Sequence, residues 1–149
     1  DASPIDIGTL EPVDLVGLCA EECAQAGAEL DVPSGQTRLM VQGVPRLLRR
    51  VVRNLLDNAR RHAAGDVHLS LRLEGAYAVI RVSDRGPGVP EEEMETIFEP
   101  FYRGSTGAPG RGFGLGLAIS RRAVETHGGR VVARNRPEGG LEVEIQLPL

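Results

Sequence analysis

The sequence predicts a single α+β domain, a sheet with helices packed on one face. Three observations carry that reading. Two pairs of alternating apolar segments, one at the chain's middle and one near its C-terminal end, read as antiparallel hairpins. Segments with apolar residues at helical spacing lie before and between them. The length of 149 residues suits one domain with a core of its own.

Asp1 to Pro12 carries acids and two prolines, unlike a basic-then-apolar signal peptide. Leu15 to Ala26 reads as a helix with Leu15, Val16, Cys19, Ala20 and Cys23 on one face. The two thiols, one turn apart on that stripe, read as buried structural cysteines, since free cysteine is among the most buried residue types. Arg38 to Gln42 reads as a short strand. Pro45 to Ala63 is the strongest helix, and its proline suits a first turn, where a missing N–H costs nothing. Leu47, Leu48, Val51, Val52, Leu55, Leu56 and Ala59 form one broad apolar face. Arg46, Arg49, Arg53, Asp57 and Arg60 occupy the opposite one. Asn54 and Asn58 fall on one edge of the apolar face, one turn apart, with Arg61 beside them. Two carboxamides at the margin of a buried stripe are an odd choice for packing alone.

Val67 to Leu73 and Tyr77 to Val82 alternate around a Glu74-Gly75 turn and read as an antiparallel pair. Ser83 to Gly88 is a turn, followed by an acidic helix from Glu91 to Ile97. Gly116 to Thr126 is a helix that opens out of a glycine-rich stretch. Arg130 to Asn135 and Leu141 to Leu147 form a closing hairpin.

Composition excludes several chemistries. All 17 basic residues are Arg. Without lysine there is no P-loop of the usual kind, no ordinary protein-kinase strand lysine and no Schiff base. Two cysteines are too few for a disulfide scaffold or a four-ligand zinc site. No run reaches the ~18 apolar residues of a membrane span, so a soluble chain is expected. A net charge of -4, with acidic runs such as Glu91 to Glu93, disfavours nucleic-acid binding by the arginine-rich helix.

Two glycine sites carry chemistry. Gly112-Phe113-Gly114-Leu115-Gly116-Leu117 runs straight into a helix. Such a stretch lets the backbone approach a ligand and presents unpaired N–H groups at a helix start, a phosphate-binding device. Taken alone it reads equally as a flexible loop. It is not the dinucleotide fingerprint, whose third glycine would fall at Leu117. Asp84-Arg85-Gly86-Pro87-Gly88 ends a strand. There a carboxylate could accept from an exocyclic amine, or simply shape an Asp-Gly turn.

In order, Asn54-Leu55-Leu56-Asp57-Asn58-Ala59, Asp84-x-Gly86-x-Gly88, Phe98-Glu99-Pro100-Phe101-Tyr102-Arg103 and Gly112-x-Gly114-Leu115-Gly116-Leu117 resemble the N, G1, F and G2 boxes of sensor histidine kinases. The resemblance runs from Val13 to Leu149. It implies the ATP-binding catalytic domain, a two-layer α/β sandwich of the GHKL (Bergerat) superfamily with a mixed sheet. It also implies that residues 1–12 are a linker from dimerisation and acceptor helices and that residues 13–149 are the domain. By resemblance, Asn58 supplies an oxygen to Mg²⁺, which takes oxygen ligands in a near-octahedral shell. Asn54 supports the metal-phosphate shell, and Arg61 is a basic phosphate contact. Asp84 recognises the amino group of adenine, with Gly86 and Gly88 close to the base. Phe98 and Phe101 hinge and seat a lid. Arg103 and Arg111 approach the phosphates, which Gly112, Gly114 and the N–H groups of Leu115, Gly116 and Leu117 hold. Asn54, Asn58, Arg61 and Arg103 are thereby the expected catalytic set.

Two positions depart from the family's habit. His62 replaces the usual Tyr or Phe beside the basic residue, an imidazole able to stack on a nucleotide. Val44-Pro45 replaces the acid before the N-box helix. Hydrolases of the superfamily place a glutamate where Asn54 stands, and an amide is no general base at neutral pH. That favours transfer of the γ-phosphate of Mg-ATP to a histidine over hydrolysis. Neither His68, in a predicted strand, nor His127, in a His-Gly-Gly turn, has the acceptor context. The expected partners are the protein's own dimerisation and acceptor domain and a response regulator, with no nucleic acid and no direct membrane contact. The expected place is the cytoplasm, as part of a membrane-anchored sensor. The alternatives are a GHKL-type ATP hydrolase and an ATP-sensing module without kinase activity.

Overall fold

The computed structural model describes residues 9–62, 65–99 and 116–149, with His62 described by its backbone alone. Seven strands and three α-helices are present among them: β1 (Glu11–Asp14), α1 (Leu15–Ala26), β2 (Glu29–Asp31), β3 (Met40–Gly43), α2 (Pro45–His62), β4 (His68–Glu74), β5 (Tyr77–Ser83), α3 (Gly116–Thr126), β6 (Arg130–Asn135) and β7 (Leu141–Pro148).

Five strands form the main sheet in the order β2-β4-β5-β7-β6. β2 runs parallel to β4, and the other pairs are antiparallel, so the sheet is mixed. Alternation decides its two faces. Leu69 and Leu71, then Ala78, Ile80 and Val82, then Val143, Ile145 and Leu147 are buried and pack against the helices. The register stacks Leu71 on Ile80 and Ile80 on Ile145. The opposite face is polar. Arg81 reaches Glu74 and Glu144, and Arg134 reaches Glu142 and Glu144. Cross-strand ion pairs thus occupy the side without helices, a two-layer arrangement.

Local chemistry fixes the helices. Asp14 caps α1 through Oδ1, which accepts from Val16 N at 3.1 Å and from Leu39 N at 3.1 Å. Gly27 ends α1 in the left-handed region. α2 has no acidic cap. Its first turn is closed by the carbonyl of Val44, which accepts from Leu47 N and Leu48 N, while Val44 N donates to Nε2 of His127 at 3.1 Å. The arginine face of α2 is tied to α1, because Arg49 and Arg53 both bond the buried carboxylate of Glu22.

Two expectations change, and β2 was not foreseen. The acidic stretch from Glu91 to Ile97 is not an α-helix but two 3₁₀ turns, Glu91–Glu93 and Thr96–Phe98. Glutamates at 91, 92, 93 and 95 repel at helical spacing, and 3₁₀ geometry suits pieces this short. The folded unit takes in Glu11 and Pro12, which pair with Gly43 and Gln42. β2 is an edge strand that periodicity did not signal. The buried cysteines conform to expectation: burial pushes the Cys19 thiol up to about 12 and the Cys23 thiol up to about 11.

Candidate functional site

α2 carries both Asn54 and Asn58, and Asn54 is on its edge toward α3. Asn54 lies where α3 begins: its Nδ2 donates to the carbonyl of Gly116 at 3.5 Å, a long bond. A Cβ added to Gly116 would lie 4.0 Å from the Cβ of Asn54. Asn58, one turn on, is 8% exposed and makes no hydrogen bond among the described residues. Its side-chain oxygen and nitrogen are not among the fully buried polar atoms left without a partner, so they stay open to a ligand. Arg61 follows on the exposed side of the same helix. Asn54, half-buried against the start of α3, stands at the edge that helical spacing predicts, whereas Asn58 is buried.

Topology brings Asp84 to the same end of the molecule. α2 ends at His62, and β4 starts at His68, which pairs with Ser83 at the end of β5. Asp84 follows directly and is 3% exposed. Its Oδ1 accepts from Gly86 N at 2.8 Å and from Leu141 N at 3.2 Å, and its own N–H donates to Leu141 O at 3.1 Å. The carboxylate is thus held by backbone donors, with Gly86 inside its turn. Gly88 has a φ of +76°, and a Cβ there would come within 2.6 Å of Asn135 Oδ1. Only glycine fits both the conformation and the space.

Phe98 is buried, and the guanidinium of Arg121 lies 5.3 Å above its ring. Arg121 also approaches Glu95 and Glu125, so it fastens the second 3₁₀ turn to α3. Gly116 and Leu117 form the first turn of α3, Leu117 being buried. Phe101, Arg103, Arg111, Gly112, Gly114 and Leu115 lie outside the described residues, as does the side chain of His62. Among the described residues no group of three His, Cys, Asp or Glu side chains could hold a metal ion.

The remaining histidines are structurally placed. His127 spends both ring nitrogens on backbone partners: Nδ1 faces Ala123 O at 2.7 Å, and Nε2 accepts from Val44 N. This fixes the tautomer with its proton on Nδ1. His68 lies between Glu29 and Asp31, at 3.7 and 3.8 Å. The sequence reading missed Asn135, Arg136 and Leu141, which hold the Asp84 segment from the β6–β7 turn. The available signal was an Asn-Arg-Pro step ending a strand, which by itself reads as an ordinary turn.

Residues 43–149 match the family described as histidine kinase-, DNA gyrase B-, and HSP90-like ATPase. The sensor histidine kinase GtrS of Pseudomonas aeruginosa is 48% identical over 106 residues, covering 71% of this chain and 22% of that protein. The sensor histidine kinase component HK1 of Mycobacterium tuberculosis is 38% identical over 125 residues, covering 84% of this chain and 74% of that one. The crystal structure of the ATP binding domain of PrrB from Mycobacterium tuberculosis superposes with a TM-score of 0.76 at 28% identity, covering 95% of this chain and 98% of that one. The chain therefore spans under a quarter of GtrS and most of HK1. It belongs to the histidine kinase-, DNA gyrase B-, and HSP90-like ATPase family, in its sensor histidine kinase branch.

Proposed function

We propose that this domain binds Mg-ATP and transfers the γ-phosphate to a histidine on a separate dimerisation domain of its parent protein. The observation that carries transfer over hydrolysis is Asn54. At the junction of α2 and α3, where a water-activating base would be needed, there is an amide bonded to Gly116 O.

In this reading Asp84 accepts from the amino group of adenine, and the backbone at Gly86 and Gly88 lies along the base. The first turn of α3, at Gly116 and Leu117, offers N–H groups to the phosphates. Arg61 adds positive charge on the same side. Asn58 fits Mg²⁺, because an amide oxygen that makes no hydrogen bond among the described residues and is open to solvent is a hard donor able to meet a cation. The ion would offset charge on the phosphate oxygens. Phe98 seats the lid, whose Phe101, Arg103, Arg111, Gly112, Gly114 and Leu115 are assigned by motif, as is stacking by His62. The acceptor nitrogen must approach the γ-phosphorus in line, and positioning then supplies much of the rate. Neither His68 nor His127 is free for that role. The partners are the dimerisation and acceptor helices, and after them a response regulator. No helix among the described residues is long and apolar enough to cross a membrane. The domain is proposed to be the cytoplasmic part of an anchored sensor.

The test incubates radiolabelled ATP with the domain alone, with the parent's dimerisation helices, and with both plus EDTA. Acid-labile, base-stable label on the helices, dependent on Mg²⁺ and lost in Asn58→Ala, is the expected result. Label on the domain alone, or release of inorganic phosphate without an acceptor, would overturn the reading.

A further inference from the structure

The segment from Asp84 to Pro90 has no regular structure of its own, yet it carries the carboxylate assigned to base recognition. Its shape is imposed from outside, by the turn between β6 and β7. At the near end, Leu141 exchanges two hydrogen bonds with Asp84, one to the side chain and one to the backbone. Arg136 NH1 donates to Asp84 O at 2.7 Å. A Cβ on Gly140 would lie 2.0 Å from that same carbonyl oxygen, so the turn is seated directly on it.

The far end is held by one side chain. Asn135 Oδ1 accepts from Val89 N at 2.9 Å, and its Nδ2 donates to Val89 O at 2.6 Å. A single amide thus satisfies both backbone groups of Val89, as a neighbouring strand would. Nδ2 also donates to Glu91 Oε2 at 3.0 Å, tying in the first 3₁₀ turn. Between the two anchors lie only Arg85 to Gly88, with Gly88 pressed against Asn135.

We infer that Asn135 is a positioning residue for recognition of the base: by clamping Val89 it fixes the loop that aims the Asp84 carboxylate, and so it sets the preference for adenine. The inference rests on the proposed role of Asp84. A hydrogen bond weakens steeply as its distance and angle drift, so selectivity for an exocyclic amine depends on how firmly the acceptor is aimed. Arg136 and Leu141 hold one end of the loop. Without Asn135 the other end, with Gly86 and Gly88 in it, would sample many conformations, and the carboxylate would keep its bond from Leu141 N but lose the steady one from Gly86 N that completes its aim.

The experiment measures Kd for ATP and for inosine triphosphate, which carries a carbonyl oxygen in place of the amino group. Wild type, Asp84→Ala and Asn135→Ala are compared, with circular dichroism confirming the folded state. A substitution that only unfolds part of the population removes sites for both nucleotides alike and leaves their ratio unchanged. Asn135→Ala is expected to lower the ATP preference at least about fivefold, the scale of one weakened charge-assisted hydrogen bond. Should Asn135→Ala fail to fold, Asn135→Asp keeps the size and the acceptor while removing both donors. It too is expected to lose part of the ratio. A wild-type ratio in the Asn135 variants, with the ratio lost in Asp84→Ala, overturns the inference and leaves the role of Asp84 standing. A wild-type ratio in Asp84→Ala overturns that role, and the inference with it.

Discussion

Ser120 is buried in α3, one turn beyond Gly116, and its hydroxyl is the fully buried side-chain oxygen without a partner among the described residues. A helical serine can turn its hydroxyl back to the carbonyl four residues earlier, but that interaction slightly disfavours the helix. Ser120→Ala removes the desolvated hydroxyl and adds a better helix former. Urea unfolding should therefore show a variant equal to wild type or more stable, by up to about 1 kcal/mol. A loss beyond that would mean the hydroxyl holds a bond essential to the helix. Other single residues differ in what they disclose in sequence. Asn54 and Asn58 were legible because helical spacing puts them on the edge of a leucine-valine stripe. Asn135 was not, because its partner Val89 is a backbone 46 residues away, and no periodicity encodes such a bond.

At the scale of elements, strongly periodic segments were legible: α1, α2, α3 and the two hairpins fall where their apolar spacing puts them. β2 was not, because its three residues carry no alternation of note and are ordered by parallel pairing with β4. The acidic stretch misled because composition alone suggested a helix where charge repulsion allows only short turns. The β6–β7 turn offers a sharper test of element chemistry. Gly139 and Gly140 both have positive φ, +104° and +99°, so any side chain strains the backbone at either. Space separates them: nothing lies within 4 Å of a Cβ at Gly139, whereas one at Gly140 would meet Asp84 O at 2.0 Å. Gly139→Ala should lose about 1–3 kcal/mol from strain alone. Gly140→Ala should lose more, because backbone must also move. Thermal unfolding of the pair measures the difference, and equal losses would show that the turn yields without disturbing Asp84.

Arginine–carboxylate pairs, some with a buried carboxylate, tie elements together across the fold, two thiols lie buried in its core, and both classes respond to pH. Hydrogen bonds from Arg53 hold the Glu22 carboxyl below its ordinary value, and Arg81 does the same for Glu74. Burial pushes Glu144 upward, but Gln146, Arg81 and Arg134 together outweigh it and leave it lowered. For these groups the unfolded chain binds protons first as pH falls. Their stabilisation is complete above 4.5 and is lost as pH drops through the lowered folded values. The alkaline edge has another origin. With no lysine the cations are guanidinium groups, charged throughout the range a folded protein meets. The thiols of Cys19 and Cys23 are raised by burial above the 9.0 of a free thiol. Above 9.0 the unfolded chain releases these protons while the folded one retains them, so stability falls with rising pH, at up to about 1.4 kcal/mol per pH unit for each thiol. Urea unfolding in the presence of reductant should thus be level between neutrality and pH 9.0 and fall on both sides. In the double variant Cys19→Ala, Cys23→Ala the alkaline fall should flatten while the acid fall persists, even though the lost sulfur atoms lower the plateau itself. An unchanged alkaline slope in that variant would assign the loss to groups other than the buried thiols.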